Sequence, residues 1–288
     1  MAQRIIAFDD TTERLVRTTK DPADIGTASS TGEAVNAGSE AIAGAATSKA
    51  VTFVNAFSNV LYGVAAQLVN TTDATVQYQP LTITSKSTSG FTATFNAPTD
   101  SANYLLDYIA VDPCLTYRAG STILSTGVSS LDTVMFLTSS YSLISQMHNT
   151  VDALPLFQPD VVSLQEASID ATAIPQFTHL WNVNTDSSNY KLEFIANNVD
   201  CSTVKAFITN LSNGATSASI NFPFFDMEST TYAVVARFQN ITDSDASILK
   251  QPITITAKNT GSFVAKWNTA LDTANYKMEW ICHVVTVP

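Results

Sequence analysis

Apolar and polar positions alternate along this chain in short runs, and the runs themselves recur. In one of them Tyr232, Val234, Ala236 and Phe238 fall on one face and Ala233, Val235, Arg237 and Gln239 on the other. The same register holds for Tyr62, Val64, Ala66 and Leu68, and for Tyr141, Leu143, Ser145 and Met147. A period of two is the spacing of a half-buried β-strand rather than a helix. Each run ends at an Asn followed three residues on by an Asp: Asn70/Asp73, Asn149/Asp152 and Asn240/Asp243. Such side chains bond their own backbone and end a ladder, which predicts a turn. A Gln-Pro pair follows each time (Gln79-Pro80, Gln158-Pro159, Gln251-Pro252). Proline has no N–H for a central ladder, so the pair marks a strand start or an edge.

Further strands are predicted from Phe91/Ala93/Phe95, Phe177/His179/Trp181 and Phe263/Ala265/Trp267, then from closing runs. The closing runs are Tyr104/Leu106/Tyr108, Tyr190/Leu192/Phe194 and Tyr276/Met278/Trp280, at a constant interval of 86 residues. Five or six short strands between turn clusters, without a convincing helix, predict a small antiparallel sandwich. The expected fold class is all-β. Three tandem small antiparallel β-sandwich modules are placed at 50–115, 129–201 and 217–288. An extended or partly helical N-terminal arm and linker is expected over 1–49. Domains this small are marginal alone, so the modules are expected to pack on one another or on other copies of the chain.

The leader holds Arg4, Arg14, Arg17 and Lys20 within its first 24 residues, with too few apolar side chains (Ile5, Ile6, Phe8, Leu15, Val16) to bury a core. It suits an arm that orders on docking. Residues 25–49 are small, which suits either a pliable linker or a packed oligomer stem. The reading favours a docking arm with linker over a leader folded back on the first module.

Charge narrows the partners. Only 14% of residues are charged, and 25 acids against 14 bases leave a net charge of −11. A basic footprint for phosphates is missing, so nucleic acid is not an expected partner. No run of about twenty apolar residues is present, so membrane insertion is not expected either. The N-terminus lacks the basic-then-apolar order of a signal peptide. The three cysteines, Cys114, Cys201 and Cys282, form no CxxC or His-linked cluster. Cys282 stands where the other copies have Ala110 and Ala196, which suits a small buried residue in a chain assembled in a reducing cytoplasm.

Candidate chemistry is sparse. Asp100, Asp186 and Asp272 recur three residues before Asn103, Asn189 and Asn275. They could be ligands of a hard cation, but one carboxylate is a poor calcium site and a strand-joining turn is the better reading. His148, His179 and His283 fall at non-equivalent positions, and His179 on an inward face suits a core histidine. No nucleophile elbow, HExxH or Gly-rich phosphate loop occurs. What recurs is Phe, Tyr, Trp, Pro and turn residues. The expectation is therefore no enzyme, with no catalytic, cofactor-binding or metal residues assigned, no cofactor, and ligand-binding residues unassigned.

The order Thr88-Ser89-Gly90-Phe91-Thr92 followed by Tyr104-Leu105-Leu106-Asp107-Tyr108-Ile109-Ala110 resembles the H-type lectin fold. It is also similar to domains found along and at the tips of tailed-bacteriophage fibres. In the third copy the likeness lies in Ile220-Asn221-Phe222-Pro223-Phe224, Tyr232-Ala233-Val234-Val235 and Trp280-Ile281. The resemblance covers all three modules but not the leader. It implies a six-stranded antiparallel sandwich that assembles in threes and can bind sugar near the subunit contacts. The expected function is a non-enzymatic structural protein of a tailed-phage virion, a fibre or decoration component assembled in the host cytoplasm. It would be anchored to other virion proteins by its N-terminal arm, would form a homo-oligomer such as a trimer, and would adhere to the host surface. The alternative is a carbohydrate-binding adhesin that recognises host glycan directly.

Overall fold

The computed structural model describes residues 6–9, 14–17, 35–73, 76–112, 117–128, 130–134, 141–149, 151, 160–165, 176–180, 184–198, 205–222, 231–239 and 251–285. Among them the chain is all-β, with several sheets and no helix, an arrangement consistent with a β-sandwich class. Two compact units are present, Met1–Ala34 and Val35–Pro288. In the first, β1 (Ile6–Asp9) pairs antiparallel with β2 (Arg14–Arg17), so the described part of the leader is strand rather than helix.

The second unit holds eighteen described strands. The first six are β3 (Val35–Ile42), β4 (Ser48–Thr52), β5 (Gly63–Asn70), β6 (Leu81–Ser87), β7 (Gly90–Phe95) and β8 (Tyr104–Val111). Then come β9 (Tyr117–Ile123), β10 (Ser130–Val134), β11 (Tyr141–Asn149), β12 (Asp160–Gln165), β13 (Gln176–Leu180) and β14 (Tyr190–Asn198). The last are β15 (Lys205–Asn210), β16 (Ser217–Asn221), β17 (Tyr232–Gln239), β18 (Thr254–Asn259), β19 (Ser262–Lys266) and β20 (Lys277–Val284). Each set of six makes two three-stranded antiparallel ladders, β3-β8-β5 and β4-β7-β6 in the first and the same order in the others.

The ladders then fuse between sets. β6 pairs in parallel with β11 at Ile83↔His148, β12 with β17 at Val161↔Gln239, and β18 with β5 at Ile255↔Val69. The third contact returns to the first set, so the pairing closes into a ring of three six-stranded sheets.

Inside a set, apolar faces meet as the alternation predicts. In the third, Tyr232, Val234, Ala236 and Phe238 pack with Ile255, Phe263, Ala265, Trp267, Tyr276, Met278 and Trp280. Phe222, Tyr232, Phe263 and Trp280 form a ring cluster with centroids 5.4–6.1 Å apart. Phe53, Tyr62, Phe91 and Tyr108 make its counterpart in the first set. Tyr62 and Tyr232 each send a hydroxyl to the following hairpin, donating to the carbonyls of Gly90 (3.1 Å) and Ser262 (2.9 Å). A Cβ on Gly90 would run into the Val51 carbonyl, which explains the glycine at that turn.

Two expectations need correction. Each set starts one strand earlier than the expected module: Val35–Ile42 is not linker but an edge strand paired along its whole length with β8, and β9 and β15 precede positions 129 and 217. Its small residues have a packing reason, because Gly38 lies opposite Tyr108 and any Cβ there would strike the Tyr108 ring. The alternating strands are also not half-buried. Every residue of β5 and β17 is buried, because their second faces meet at the centre of the ring.

That centre is layered. Ala65, Ile109, Ile144, Ile195, Val235 and Ile281 form an apolar plug drawn from all three sets. Beside it lie Gln67, Gln146 and Arg237, one from each set and all at most 3% exposed. Arg237 gives Nε–H to the Ser145 carbonyl (3.1 Å). Its NH1 donates to Gln67 Oε1 (2.9 Å) and the Ala236 carbonyl (2.7 Å), and its NH2 to Gln146 Oε1 (2.6 Å) and the Ala66 carbonyl (3.2 Å). All five guanidinium hydrogens have acceptors, which is what lets the charge leave water. Gln67 and Gln146 in turn donate to the carbonyls of Ile253 and Leu81 in neighbouring sets.

Two outcomes are expected in denaturant melts. Trp267→Ala, at a site 1% exposed, should cost about 3–5 kcal/mol through the cavity it leaves; a loss below about 1 kcal/mol would show a site able to collapse. Arg237→Ala should cost a similar 3–5 kcal/mol by stranding two buried amides, whereas Arg237→Gln, which restores three alike residues, should cost clearly less.

Candidate functional site

The closing strands carry an acid at one register position in all three sets: Asp107, Glu193 and Glu279. All are essentially buried. They lie opposite Gln67, Gln146 and Arg237 across the ladder, so they belong to the same central layer. A buried carboxylate must be paired or neutralised, and the three positions solve this differently.

Asp107 accepts from Lys258 Nζ (2.9 and 3.1 Å) and from the Val234 amide (3.0 Å), both of the third set. Burial pushes its pKa up, opposed by the Lys258 charge. Glu193 accepts from Lys86 Nζ of the first set (2.7 Å) on one oxygen and faces His148 Nδ1 (2.7 Å) on the other. Lys86 also donates to the Tyr62 carbonyl and sits 4.3 Å over the Tyr62 ring. Burial pulls the Lys86 pKa down; Glu193 opposes this and the like charge of Lys191 adds to it. Burial, then the Glu193 charge, raises the Tyr62 phenol.

Both lysines reach inward because of a bulge. Register shifts between Ile83 and Ser85, and between Ile255 and Ala257, insert one extra residue. Lys86 and Lys258 therefore stand opposite the inward-facing Phe91 and Phe263 instead of pointing out. The second set has the same bulge between Val161 and Ser163, but its residue opposite Phe177 is Leu164. Glu279 accordingly receives no lysine from that register position. It accepts from the Leu143 amide (2.8 Å) and Gln239 Nε2 (2.5 Å), and burial pushes its pKa up to about 8.

At the junction of the first and second sets this layer borders a cleft. Its volume is about 450 Å³, and Lys86, His148, Lys191, Glu193, Thr84 and Ser85 line it with Val60, Leu61 and Ile123. His148 is 4% exposed and Glu193 is fully buried. Lys86 already donates to Glu193, so in the neutral imidazole the hydrogen sits on His148 Nδ1 and is donated to the carboxylate. Nε2 is then an acceptor, and it has no partner. Chemically the group can take a hydrogen bond or a proton at Nε2. Thr84 is not poised beside it as a nucleophile, since its hydroxyl bonds Thr94 Oγ1 at 2.7 Å. The matching positions elsewhere are Val69 with Leu105, which pack against the apolar core of the third set, and Gln239 with Lys277.

The residues singled out from sequence land elsewhere. Asp100, Asp186 and Asp272 are exposed, and the turns they open are made by the next residue. Ser101, Ser187 and Thr273 hydroxyls accept from the amides of Asn103, Asn189 and Asn275 (3.1–3.2 Å). Asn103 and Ser101 also donate to Asp73, tying two turns together. Asn70 and Asp73 hold their turn reciprocally, and Gln79 and Gln251 pin the loops at Ala97 and Thr269. His283 meets the Val284 carbonyl at 2.6 Å. Cys282, Ala110 and Ala196 are all fully buried. The His179 side chain, Trp181, Cys114, Cys201, Asp152, Gln158, Asn240 and Asp243 lie outside the described residues.

The acids at 107, 193 and 279 escaped notice because they sit between aromatic and aliphatic neighbours in strands read for their apolar face. Their recurrence at one register was the available signal. Comparison with known protein families, with curated proteins and with solved structures finds no match.

Glu279 makes the layer pH-sensitive in a definite direction. Its folded pKa lies above the unfolded carboxyl value, so the folded chain keeps the proton up to about pH 8; the resulting stability is full below pH ~4.3 and is lost as pH rises towards 8. In urea melts the chain should lose stability relative to Glu279→Gln by up to about 1.4 kcal/mol per pH unit over that window. Parallel pH profiles of the two proteins would show that Glu279 is not the titrating group.

Proposed function

We propose that this chain is a non-enzymatic structural and adhesive component of a tailed-phage virion. In this reading three tandem β-sandwich modules, copies of one small domain, form a closed head, and residues 1–34 are the arm that docks it. The observation that carries the reading is the return pairing of β18 with β5. One chain thereby satisfies the strand edges that three separate subunits would otherwise satisfy for one another, and presents a finished threefold body. In this reading the threefold association that the resemblance implies between subunits is supplied within one chain. A separate N-terminal unit is consistent with attachment that does not disturb the head. The recurring interior is spent on aromatic packing and on a buried polar layer, both scaffold roles.

A second reading, a carbohydrate-binding adhesin, is favoured by one observation: the cleft between the first and second sets with its unpartnered His148 nitrogen.

Residues 35–288 produced without the leader should remain folded and monomeric by light scattering, while failing to join assembled particles. Normal incorporation of the truncated chain would remove the docking role, and dissociation-linked unfolding would remove the closed head.

A further inference from the structure

The cleft at the junction of β6 with β11 and β14 lies at one of three junctions with the same strand order, and its composition runs against the net charge of the chain. Two lysines and one glutamate line it, in a protein carrying −11 overall. The charges are not equally available. Glu193 is consumed by Lys86 and His148, and Lys86 is consumed by Glu193, the Tyr62 carbonyl and the Tyr62 ring. What remains for a ligand is the Lys191 ammonium, opposite His148 across the ladder, and the His148 Nε2 acceptor. At the rim Val60, Leu61 and Ile123 are exposed, three of the seven large apolar side chains exposed among the described residues.

We infer that this cleft binds a polyhydroxylated carboxylate of monosaccharide size, an acidic sugar, with its carboxylate on Lys191, a hydroxyl donating to His148 Nε2, and its C–H face against Leu61 and Ile123. The volume of about 450 Å³ lies within the range of roughly 300–1,000 Å³ typical of small-molecule sites. A single free ammonium, without arginine, matches one carboxylate better than a phosphate, whose several charges call for a fork or a cluster. In the tautomer that turns Nδ1–H toward Glu193, Nε2 takes a donor from the ligand, which a hydroxyl supplies and a bare anion does not. Ser85 and Thr84 add further polar lining. Glu193 acts as a positioning residue, since it fixes the imidazole tautomer. The inference rests on the adhesive part of the proposed function only for where the sugar comes from, a host-surface glycan.

The test is titration of the full-length chain with glucuronate and N-acetylneuraminate, followed by the His148 ring resonances in NMR. Glucose and inorganic phosphate serve as controls. A single acidic sugar should bind saturably at millimolar strength, shifting the His148 Nε2 resonance, with glucose and phosphate at least tenfold weaker. Lys191→Gln, at a half-buried position, should weaken binding at least tenfold while leaving the melting transition cooperative, and Lys277→Gln at the corresponding place in the third set should not weaken it. His148→Gln should weaken the acid that binds while leaving the melting transition cooperative. No saturable shift with either acid, equal binding of phosphate, or binding indifferent to Lys191→Gln would each overturn the inference. The two readings separate cleanly. Acid-sugar binding that Lys191→Gln abolishes supports the cleft even if particles carrying that variant adsorb to cells normally, in which case the adhesive role is what fails. Absence of binding in a chain that still docks through its leader overturns the cleft alone.

Discussion

A guanidinium removed from water needs an acceptor for each of its five hydrogens, and no single sandwich can offer them on the outer face of one strand. Arg237 finds them only where β5, β11 and β17 converge: an amide oxygen and a carbonyl from the first set, another of each from the second, and a carbonyl of its own. Opening any junction would strand a buried charge, at a cost on the order of several kcal/mol. The polar layer therefore defines register. An apolar plug of Ile109, Ile195 and Ile281 can slide, whereas hydrogen bonds with fixed directions cannot.

From that layer follows the difference between the three junctions. Each must bury one carboxylate, and each has been given a different counterpart: a lysine and an amide, a lysine and a histidine, or an amide and a glutamine with the proton retained. Symmetry in the backbone thus coexists with divergence in the side chains. Where the positions beside the acid are His148 and Lys191, those polar groups meet a cleft. Where the same positions are Val69 and Leu105 they extend the core. The same register position is a sealed contact in one place and the lining of a cleft in another.

The strand pattern, the turns and the inward aromatic set were legible from periodicity because they depend on local alternation and on Asn, Pro and Gly backbone chemistry. Tyr62, Val64, Ala66 and Leu68 face the core as their spacing requires. The first strand of each set was not legible. Val35–Ile42 is short of large apolar residues, since Tyr108 fills the space above Gly38, and a strand whose partner supplies the bulk reads as linker. The cleft was hidden for a second reason. In plain alternation from Ile83, Lys86 points to solvent, and only the bulge between Ile83 and Ser85 turns it under the sheet towards Glu193.

By itself the sequence determined that the chain is all-β, that two strands of each set recur at a spacing of 86 residues, and which face of each strand is aromatic, since these follow from nearest-neighbour stereochemistry and a period of two. Tertiary structure alone decided what lies on the other face. The parallel contacts at Ile83↔His148, Val161↔Gln239 and Ile255↔Val69 join residues 65, 78 and 186 positions apart, and no local pattern encodes which edge finds which. Burial of Asp107, Glu193, Glu279 and Arg237 is a consequence of that closure. A charge that reads as surface in one strand becomes interior when two further sheets arrive to cover it.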